Sequence, residues 1–196
     1  MMKIIYLIPI SGRPNAGKTS LVNYIARTKK PVGKYAGTTL KIVPVPLVKN
    51  LSLVDLPGFG RITKRSKQLE NKLKNTIVQF FENPSNQILL AIHIIDLSTF
   101  HYMVESLEKK NIIPLDIEMI QFISEVTNFP PLIVFNKADK LKKDIIEQNL
   151  QIFNSYNIPK TEEFIISLKT KDGCRSLRNR IKTIAVEKLG SSYQNW

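Results

Sequence analysis

Apolar, β-branched runs alternate along the chain with segments whose apolar residues recur at helical spacing. Six runs have the length of strands: Lys3–Ile10, Thr39–Val48, Leu51–Leu56, Ile88–Ile95, Pro131–Phe135 and Glu163–Ser167. Because helical segments separate most of them, the pattern predicts parallel strands joined by helical crossovers. We expect an α/β fold with a mostly parallel six-stranded sheet, helices on both faces, and a single domain over residues 1–196.

The second run is unusual, because Pro44 and Pro46 interrupt it. Proline has no N–H to donate to a neighbouring strand and is confined largely to sheet edges. Only Lys49 and Asn50 separate this run from the next, which is too short for a helical crossover. The sequence therefore predicts one antiparallel strand at the sheet edge.

Helical spacing is clearest in five segments. The predicted helices run from Lys18 to about Arg27, from Lys64 to about Glu82, from a cap at Asp116, between Asp144 and Phe153, and near the C-terminus. Leu115 and Ile120 are spaced for a hydrophobic staple around the Asp116 cap. The apolar stripe of the second helix comprises Leu69, Leu73, Ile77 and Phe80 or Phe81, and that of the last comprises Leu177, Ile181, Ile184, Ala185 and Leu189. The last helix turns mostly basic residues outward: Arg175, Arg178, Arg180, Lys182 and Lys188.

Composition narrows the class of protein. The chain has 196 residues, is 43% hydrophobic and contains a single cysteine, Cys174. That length and composition predict one globular domain, and one cysteine cannot form an internal disulfide, which predicts a cytoplasmic protein. The apolar runs are shorter than a membrane span, and the last six residues lack a prenylation motif, so we predict no membrane association.

The charge balance indicates a polyanionic partner. Net charge is +13, from 29 basic and 16 acidic residues. Such an excess attracts nucleic acid or anionic membrane. A cytosol or growth temperature that favours lysine-rich surfaces would produce the same excess, so charge alone leaves both interpretations open.

A phosphate-binding loop follows the first predicted strand. The residues Gly12, Arg13, Pro14, Asn15, Ala16, Gly17, Lys18 and Thr19 fit the pattern G-x-x-x-x-G-K-[ST], and Ser20 continues into the helix. Backbone N–H groups of such a loop and the helix N-terminus hold phosphates. Lys18 would supply a point charge to the β- and γ-phosphates, and the Thr19 hydroxyl would bind Mg²⁺.

The segment Asp55, Leu56, Pro57 and Gly58 follows the third predicted strand. A carboxylate at this position supports Mg²⁺, which assigns Asp55 to the metal site. The amide of Gly58 can approach a γ-phosphate because no side chain intervenes. The next residue, Phe59, replaces the glutamine that orients water in many GTP hydrolases, so we expect slow intrinsic hydrolysis.

A polar, glycine-punctuated segment between Lys29 and Leu40 suggests a nucleotide-sensitive loop. Gly37, Thr38 and Thr39 lie in it, and we assign Thr39 to Mg²⁺ and the γ-phosphate, with Thr38 as the alternative.

Guanine recognition is predicted at Asn136, Lys137, Ala138 and Asp139. The Asp139 carboxylate can accept from guanine N1–H and the exocyclic amine, whereas adenine has neither donor there. Asn136 would brace the loop and the base, and the stem of Lys137 would lie along the ring. Ser167, Leu168 and Lys169 are placed to give backbone N–H groups to guanine O6.

His93, within an apolar strand, is predicted to be a packed or hydrogen-bonded core residue rather than a metal ligand.

Together these motifs resemble the EngB/YihA-type GTPases of the translation-factor-related class, particularly their archaeal branch. The resemblance covers nearly the whole chain and is carried by Gly12–Thr19, Ala36–Thr39, Asp55–Gly60, Ile112–Asp116, Asn136–Leu141 and Ser167–Lys169. It implies a Ras-like P-loop GTPase that binds GTP and GDP with Mg²⁺. Bacterial members usually have proline where Ala36 stands and a smaller residue where Leu168 stands.

In bacterial members the resemblance implies a role in large ribosomal subunit assembly and normal septation, with ribosomal RNA and large-subunit proteins as partners. Asn15 matches relatives that use K⁺ in hydrolysis, and it is therefore added to the predicted catalytic residues. The others are Lys18, Thr39 and Gly58. The alternatives are a signalling GTPase with protein effectors and a P-loop kinase or ATPase, for which the guanine motif has no use. The sequence does not specify oligomeric state, and we favour a monomer.

Overall fold

The computed structural model describes residues 4–29, 42–60, 67–194 and 196. Its strands are β1 Tyr6–Gly12, β2 Val43–Val48, β3 Leu51–Asp55, β4 Gln87–Ile88, β5 Ile92–Asp96, β6 Leu132–Asn136 and β7 Glu163–Ile165. Its helices are α1 Lys18–Ala26, α2 Lys67–Glu82, α3 Leu97–Glu108, α4 Leu115–Thr127, α5 Lys143–Asn154 and α6 Cys174–Leu189.

The sheet has the order β2-β3-β1-β5-β6-β7, and the two-residue β4 also pairs with β1. Every pairing is parallel except that of β2 with β3. The predicted mostly parallel sheet with an antiparallel edge strand is thus confirmed. Pro44 and Pro46 lie on the outermost strand, where a residue without an N–H donor is tolerated because only one neighbouring strand has to be paired.

The two faces of the sheet are covered by different helices. Alternate strand residues such as Ile92 and Ile94 pack with α1 and α6, whereas Ile95 and Phe135 pack with α3, α4 and α5. A third cluster joins α2 and α4 to the second face near β1 and β3. Helices therefore lie on both faces, as the alternation of runs predicts.

Strand order fixes the place of a ligand. From β1 the chain moves outward to β3 on one side and later to β5 on the other. In open parallel sheets this reversal leaves a crevice at the carboxyl ends of the strands. The phosphate loop, which directly follows β1, opens into that crevice.

Two predictions were wrong, and one helix was missed. The run Ile88–Ile95 is not one strand but the separate strands β4 and β5, and helix α3 was not predicted. Asp116 does not cap α4, because the helix begins at Leu115 and Pro114 is at the cap position. The staple predicted around an Asp116 cap is therefore wrong as well. Asp116 instead lies in the first turn and is buried. Within the described ranges, no helix is long and apolar enough to cross a bilayer.

Candidate functional site

The phosphate loop is shaped by residues with left-handed backbone conformations. Gly12 and Gly17 have φ of 145° and 113°, and Asn15 has φ of 63°. A Cβ at Gly12 would lie 2.3 Å from the carbonyl oxygen of Ile94, and one at Gly17 would lie 2.4 Å from Asn136 Nδ2. Glycine is therefore required at both positions for conformation and for space. The turn leads into the N-terminus of α1, where backbone amides and the helix dipole favour an anion.

Lys18 is held at the centre of this loop. Its Nζ donates to the carbonyl oxygens of Gly12, at 2.9 Å, and Arg13, at 2.7 Å. Burial lowers the pKa of Lys18 to about 8, although the carboxylates of Asp55 and Asp116 oppose the shift. A buried ammonium whose hydrogen-bond partners among the described residues are carbonyl oxygens is suited to bind the negative charge of nucleotide phosphates.

Thr19 and Asp55 meet beside Lys18. The Thr19 hydroxyl donates to Asp55 Oδ2 at 2.6 Å, and Asp55 is only 6% exposed. A hydroxyl and a carboxylate are the hard oxygen donors that Mg²⁺ prefers. The described residues contain no cluster of three His, Cys, Asp or Glu side chains that could hold a metal by themselves. This donor set thus suits an ion that takes its remaining ligands from phosphate and water.

Gly58 lies against the phosphate loop. A Cβ there would be 2.9 Å from Pro14 N and Cα and 3.0 Å from Lys18 Nζ. Any side chain would therefore displace loop backbone, and only glycine brings the chain this close. Leu56 and Pro57, which precede it, are buried.

Phe59 turns away from the site into the core. Its side chain is 1% exposed and packs with Ile77 of α2 and Met119 of α4, while its ring centroid lies 5.8 Å from that of His93. The phenyl ring is thus an anchor for the segment that carries Gly58. Sequence reasoning identified the missing glutamine but not this packing role.

Asn136 connects the two nucleotide motifs. Its Nδ2 donates to the carbonyl oxygen of Ala16 at 2.8 Å, and its Oδ1 accepts from the amide of Leu168 at 3.1 Å. The side chain is 3% exposed, so these bonds lie inside the protein. The bracing role predicted for Asn136 therefore extends to both the phosphate loop and the loop after β7.

Asp139 and Lys137 are positioned by side chains from other elements. The Ser167 hydroxyl donates to Asp139 Oδ1 at 2.6 Å, and Lys137 Nζ lies 2.5 Å from Asp96 Oδ2. Among the described residues, Asp139 Oδ2 has no hydrogen-bond partner, and the residue is exposed. Asp96, which also caps α3, was missed from the sequence, although a carboxylate at the end of a parallel strand is a usable signal.

The loop after β7 leaves one of its three predicted amide donors available. The amide of Ser167 donates to the carbonyl of Asp172, and that of Leu168 donates to Asn136. In the described part of the chain the amide of Lys169 has no acceptor. Lys169 is therefore the member of the trio that can bind guanine O6 without breaking an internal bond.

The predicted switch residues Gly37, Thr38 and Thr39 lie outside the described residues. Ser20 and Ala138 lie where the motifs place them, the former in α1 and the latter in a short 3₁₀ turn after β6.

A buried polar network lies directly beneath the phosphate loop. His93 Nδ1 is 2.9 Å from Ser11 Oγ, and His93 Nε2 is 3.1 Å from Asp116 Oδ1. All three side chains are at most 1% exposed, which confirms His93 as a hydrogen-bonded core residue. Arg13 approaches the outer oxygen of Asp116 at 4.0 Å. The network thus joins β1, β5, α4 and the phosphate loop.

Comparison with known proteins gives concordant matches. The family model described as 50S ribosome-binding GTPase matches residues 8–137. A probable GTP-binding protein EngB of Methanococcus aeolicus is 43% identical over 73% of this chain and 62% of its own length. The protein of the same description from Pyrococcus horikoshii is 33% identical over 95% of this chain and 89% of its own length.

A solved structure is similar in both sequence and fold. The crystal structure of a probable GTP-binding protein engB superposes with a TM-score of 0.80 at 30% identity. The superposition covers 92% of this chain and 99% of the other. The similarity therefore extends well beyond the segment that carries the phosphate loop.

Proposed function

The chain belongs to the EngB family of P-loop GTPases, and on that basis we propose that it is a GTP-dependent switch that assists assembly of the large ribosomal subunit. The observation that carries this proposal is the match over residues 8–137 to a family described as 50S ribosome-binding. The net charge of +13 supports a partner rich in phosphate. Normal septation, the second role of the bacterial relatives, is a downstream consequence in this proposal.

In the proposed site, different residues bind different parts of the nucleotide. The phosphate loop, residues 12–19, holds the phosphates, with Lys18 placed to neutralise their charge. Thr19 and Asp55 would hold Mg²⁺, which would supply positive charge next to the phosphate oxygens. Asp139 and the Lys169 amide bind the edge of guanine. The hydrogen bonds of Asn136 keep the phosphate loop and the loop after β7 at a fixed separation. Thr39 completes the switch, with Thr38 as the alternative.

Cosedimentation tests the ribosomal role. Purified protein is mixed with large subunits or their precursors in the presence of GDP or a non-hydrolysable GTP analogue, at low and high salt. We expect enrichment with the GTP analogue that weakens as salt rises, because phosphate contacts release counterions. Absence of enrichment in every nucleotide state would refute the proposal.

We further propose that hydrolysis is intrinsically slow and is stimulated by K⁺. Asn15 is exposed and has a left-handed backbone conformation in the phosphate loop, and in this proposal its side-chain oxygen is a ligand of the cation. Phosphate release is measured in matched KCl and NaCl buffers for the wild type and for Asn15→Ala. Faster turnover in KCl is expected for the wild type alone, whereas equal rates in the two salts would contradict this role.

A further inference from the structure

Helix α6 carries a stripe of positive charge along its outer face. Arg175, Arg178 and Lys182 recur at i, i+3 and i+7, which places them on one side of the helix over about 10 Å. Arg27, at the end of α1, and Lys171, in the loop before α6, extend the charge. We call these five residues the basic stripe.

Among the described residues, no acidic side chain forms an ion pair with the basic stripe. Glu187 is the only acidic residue of α6, and it pairs instead with Arg180 at 3.6 Å, as does Glu162 at 2.6 Å. The neighbouring carboxylate of Asp172 accepts from the Thr170 hydroxyl at 2.5 Å. Compensation is thus concentrated at Arg180.

Aromatic rings hold the cations of the stripe in place. Arg178 Cζ lies 5.5 Å and Lys182 Nζ 5.3 Å from the ring centroid of Trp196. Lys171 Nζ lies 5.5 Å from the ring of Tyr24. Contacts of this kind restrain flexible basic side chains while leaving their charge intact. Three of the five cations of the stripe are therefore restrained by contacts within the protein.

Burial, and after it the repulsion between like charges, shifts the ionisation of two residues of the stripe. Burial and then the repulsion of Arg27 lower the pKa of Arg178, and burial followed by repulsion from Arg178 and Arg27 lowers the pKa of Lys182. An anion between these side chains would relieve that repulsion. The surface thus favours a polyanion over a neutral or basic partner.

We propose that the basic stripe binds the phosphate backbone of ribosomal RNA. This inference rests on the proposed ribosomal function and assigns the surface that performs it. A membrane-surface helix needs an apolar face to insert, but Leu177, Ile181 and Ile184 of α6 are already packed in the core. The rings of Tyr24 and Trp196 already contact cations of the stripe, so the charge of the stripe and not base sequence is what this surface offers an RNA backbone.

The test compares two variants that lose the same charge from opposite sides of the molecule. Arg178→Gln/Lys182→Gln removes two cations of the basic stripe. Lys142→Gln/Lys143→Gln removes two exposed cations at the start of α5, a helix on the other face of the sheet. Affinity for purified large-subunit RNA is measured across a salt series by filter binding, and binding to intact large subunits by cosedimentation. The charge-retaining variant Arg178→Lys/Lys182→Arg and GDP affinity report on folding.

We expect the stripe variant to lose about tenfold or more in RNA affinity and to reduce the slope of log K against log salt by roughly 1 to 2. The α5 variant and the charge-retaining variant should remain near wild type. The single variant Lys182→Gln should show a smaller loss in the same direction.

Three results would overturn this assignment, and each has a distinct meaning. Unchanged RNA affinity of the stripe variant beside a binding wild type would reject the stripe but leave the ribosomal function standing. Equal losses in the stripe and α5 variants would attribute binding to net charge. If the stripe variant keeps its RNA affinity but loses affinity for phosphatidylserine-rich vesicles in a vesicle-sedimentation assay, the partner is a membrane. Absence of wild-type binding to RNA and subunits alike would instead reject the proposed function.

Discussion

Lys18 combines deep burial with a functional charge, which makes nucleotide binding sensitive to pH. Its pKa is about 8 in the free protein, and phosphates bound beside it would raise that value. Above pH 8 the free protein has lost this proton and must regain it to bind, so affinity falls as pH rises. We expect GDP to bind about fourfold more weakly at pH 8.5 than at pH 7, from proton linkage with a pKa near 8.

Calorimetry in buffers of different ionisation enthalpy measures the proton uptake that accompanies GDP binding. In Lys18→Arg the guanidinium stays charged over this range, so residual binding should involve no uptake at this position. If GDP affinity does not change between pH 7 and pH 8.5 and no proton is taken up, the linkage is contradicted.

Asp139 should control the choice of base. Asp139→Asn removes the carboxylate that accepts from guanine, so we expect GTP affinity to fall by roughly 10³-fold and preference to shift toward XTP. Because asparagine can still accept from the Ser167 hydroxyl, the loop itself should remain folded. Competition binding with GTP, ATP and XTP measures the shift. Retention of guanine preference would refute the assignment.

Phe59 cannot be converted into a catalytic glutamine by substitution. The side chain is 1% exposed among apolar residues, so Phe59→Gln would leave a cavity and bury an amide. We expect a loss of about 3 kcal/mol or more in unfolding free energy and no gain in GTP turnover. Phe59→Leu, which keeps the site apolar, should be milder. A stable Phe59→Gln protein with faster turnover would show that the ring leaves the core.

At the scale of elements, the Ser11, His93 and Asp116 network ties helix α4 to the sheet beneath the phosphate loop. His93→Leu leaves the Asp116 carboxylate buried without its closest partner, so we expect a loss of about 3 to 5 kcal/mol. Urea unfolding of His93→Leu, Asp116→Leu and the double variant provides a double-mutant cycle. The double variant should lose less than the sum of the single losses by about 1 kcal/mol or more. Additive losses would show that the two side chains are not coupled.

The two features that sequence reasoning missed have different physical causes. Helix α3 follows β5 without a glycine or proline to separate them, and its start is marked only by the Asp96 cap. Asp116 has the chemistry of a cap, but the preference of a residue for a cap position is weaker than a buried pair with His93. The start of α3 therefore had little local signal to find, whereas at Asp116 local propensity was overruled by a contact with a residue distant in the chain.

For the molecule as a whole, the sheet topology explains why separate motifs form one site. Parallel strands place the segments after β1, β3, β6 and β7 at the same edge, and the reversal at β1 opens a crevice there. The nucleotide site and the basic stripe are also connected, because Lys171 donates to the carbonyl of Leu168 at 2.6 Å. One member of the stripe is thus bonded to the predicted guanine loop.

The sequence by itself determined the alternation of strands and helices, the edge hairpin, the phosphate loop and the guanine motif. These depend on local periodicity and on short motifs whose chemistry is complete within a few residues. Only the tertiary structure decided that Asn136 joins Ala16 to Leu168, that Phe59 is an anchor, and which cations of α6 form no ion pair with another described residue. Such features depend on which distant side chains the packing brings together. The local sequence is compatible with many such pairings, and only the folded chain selects one of them.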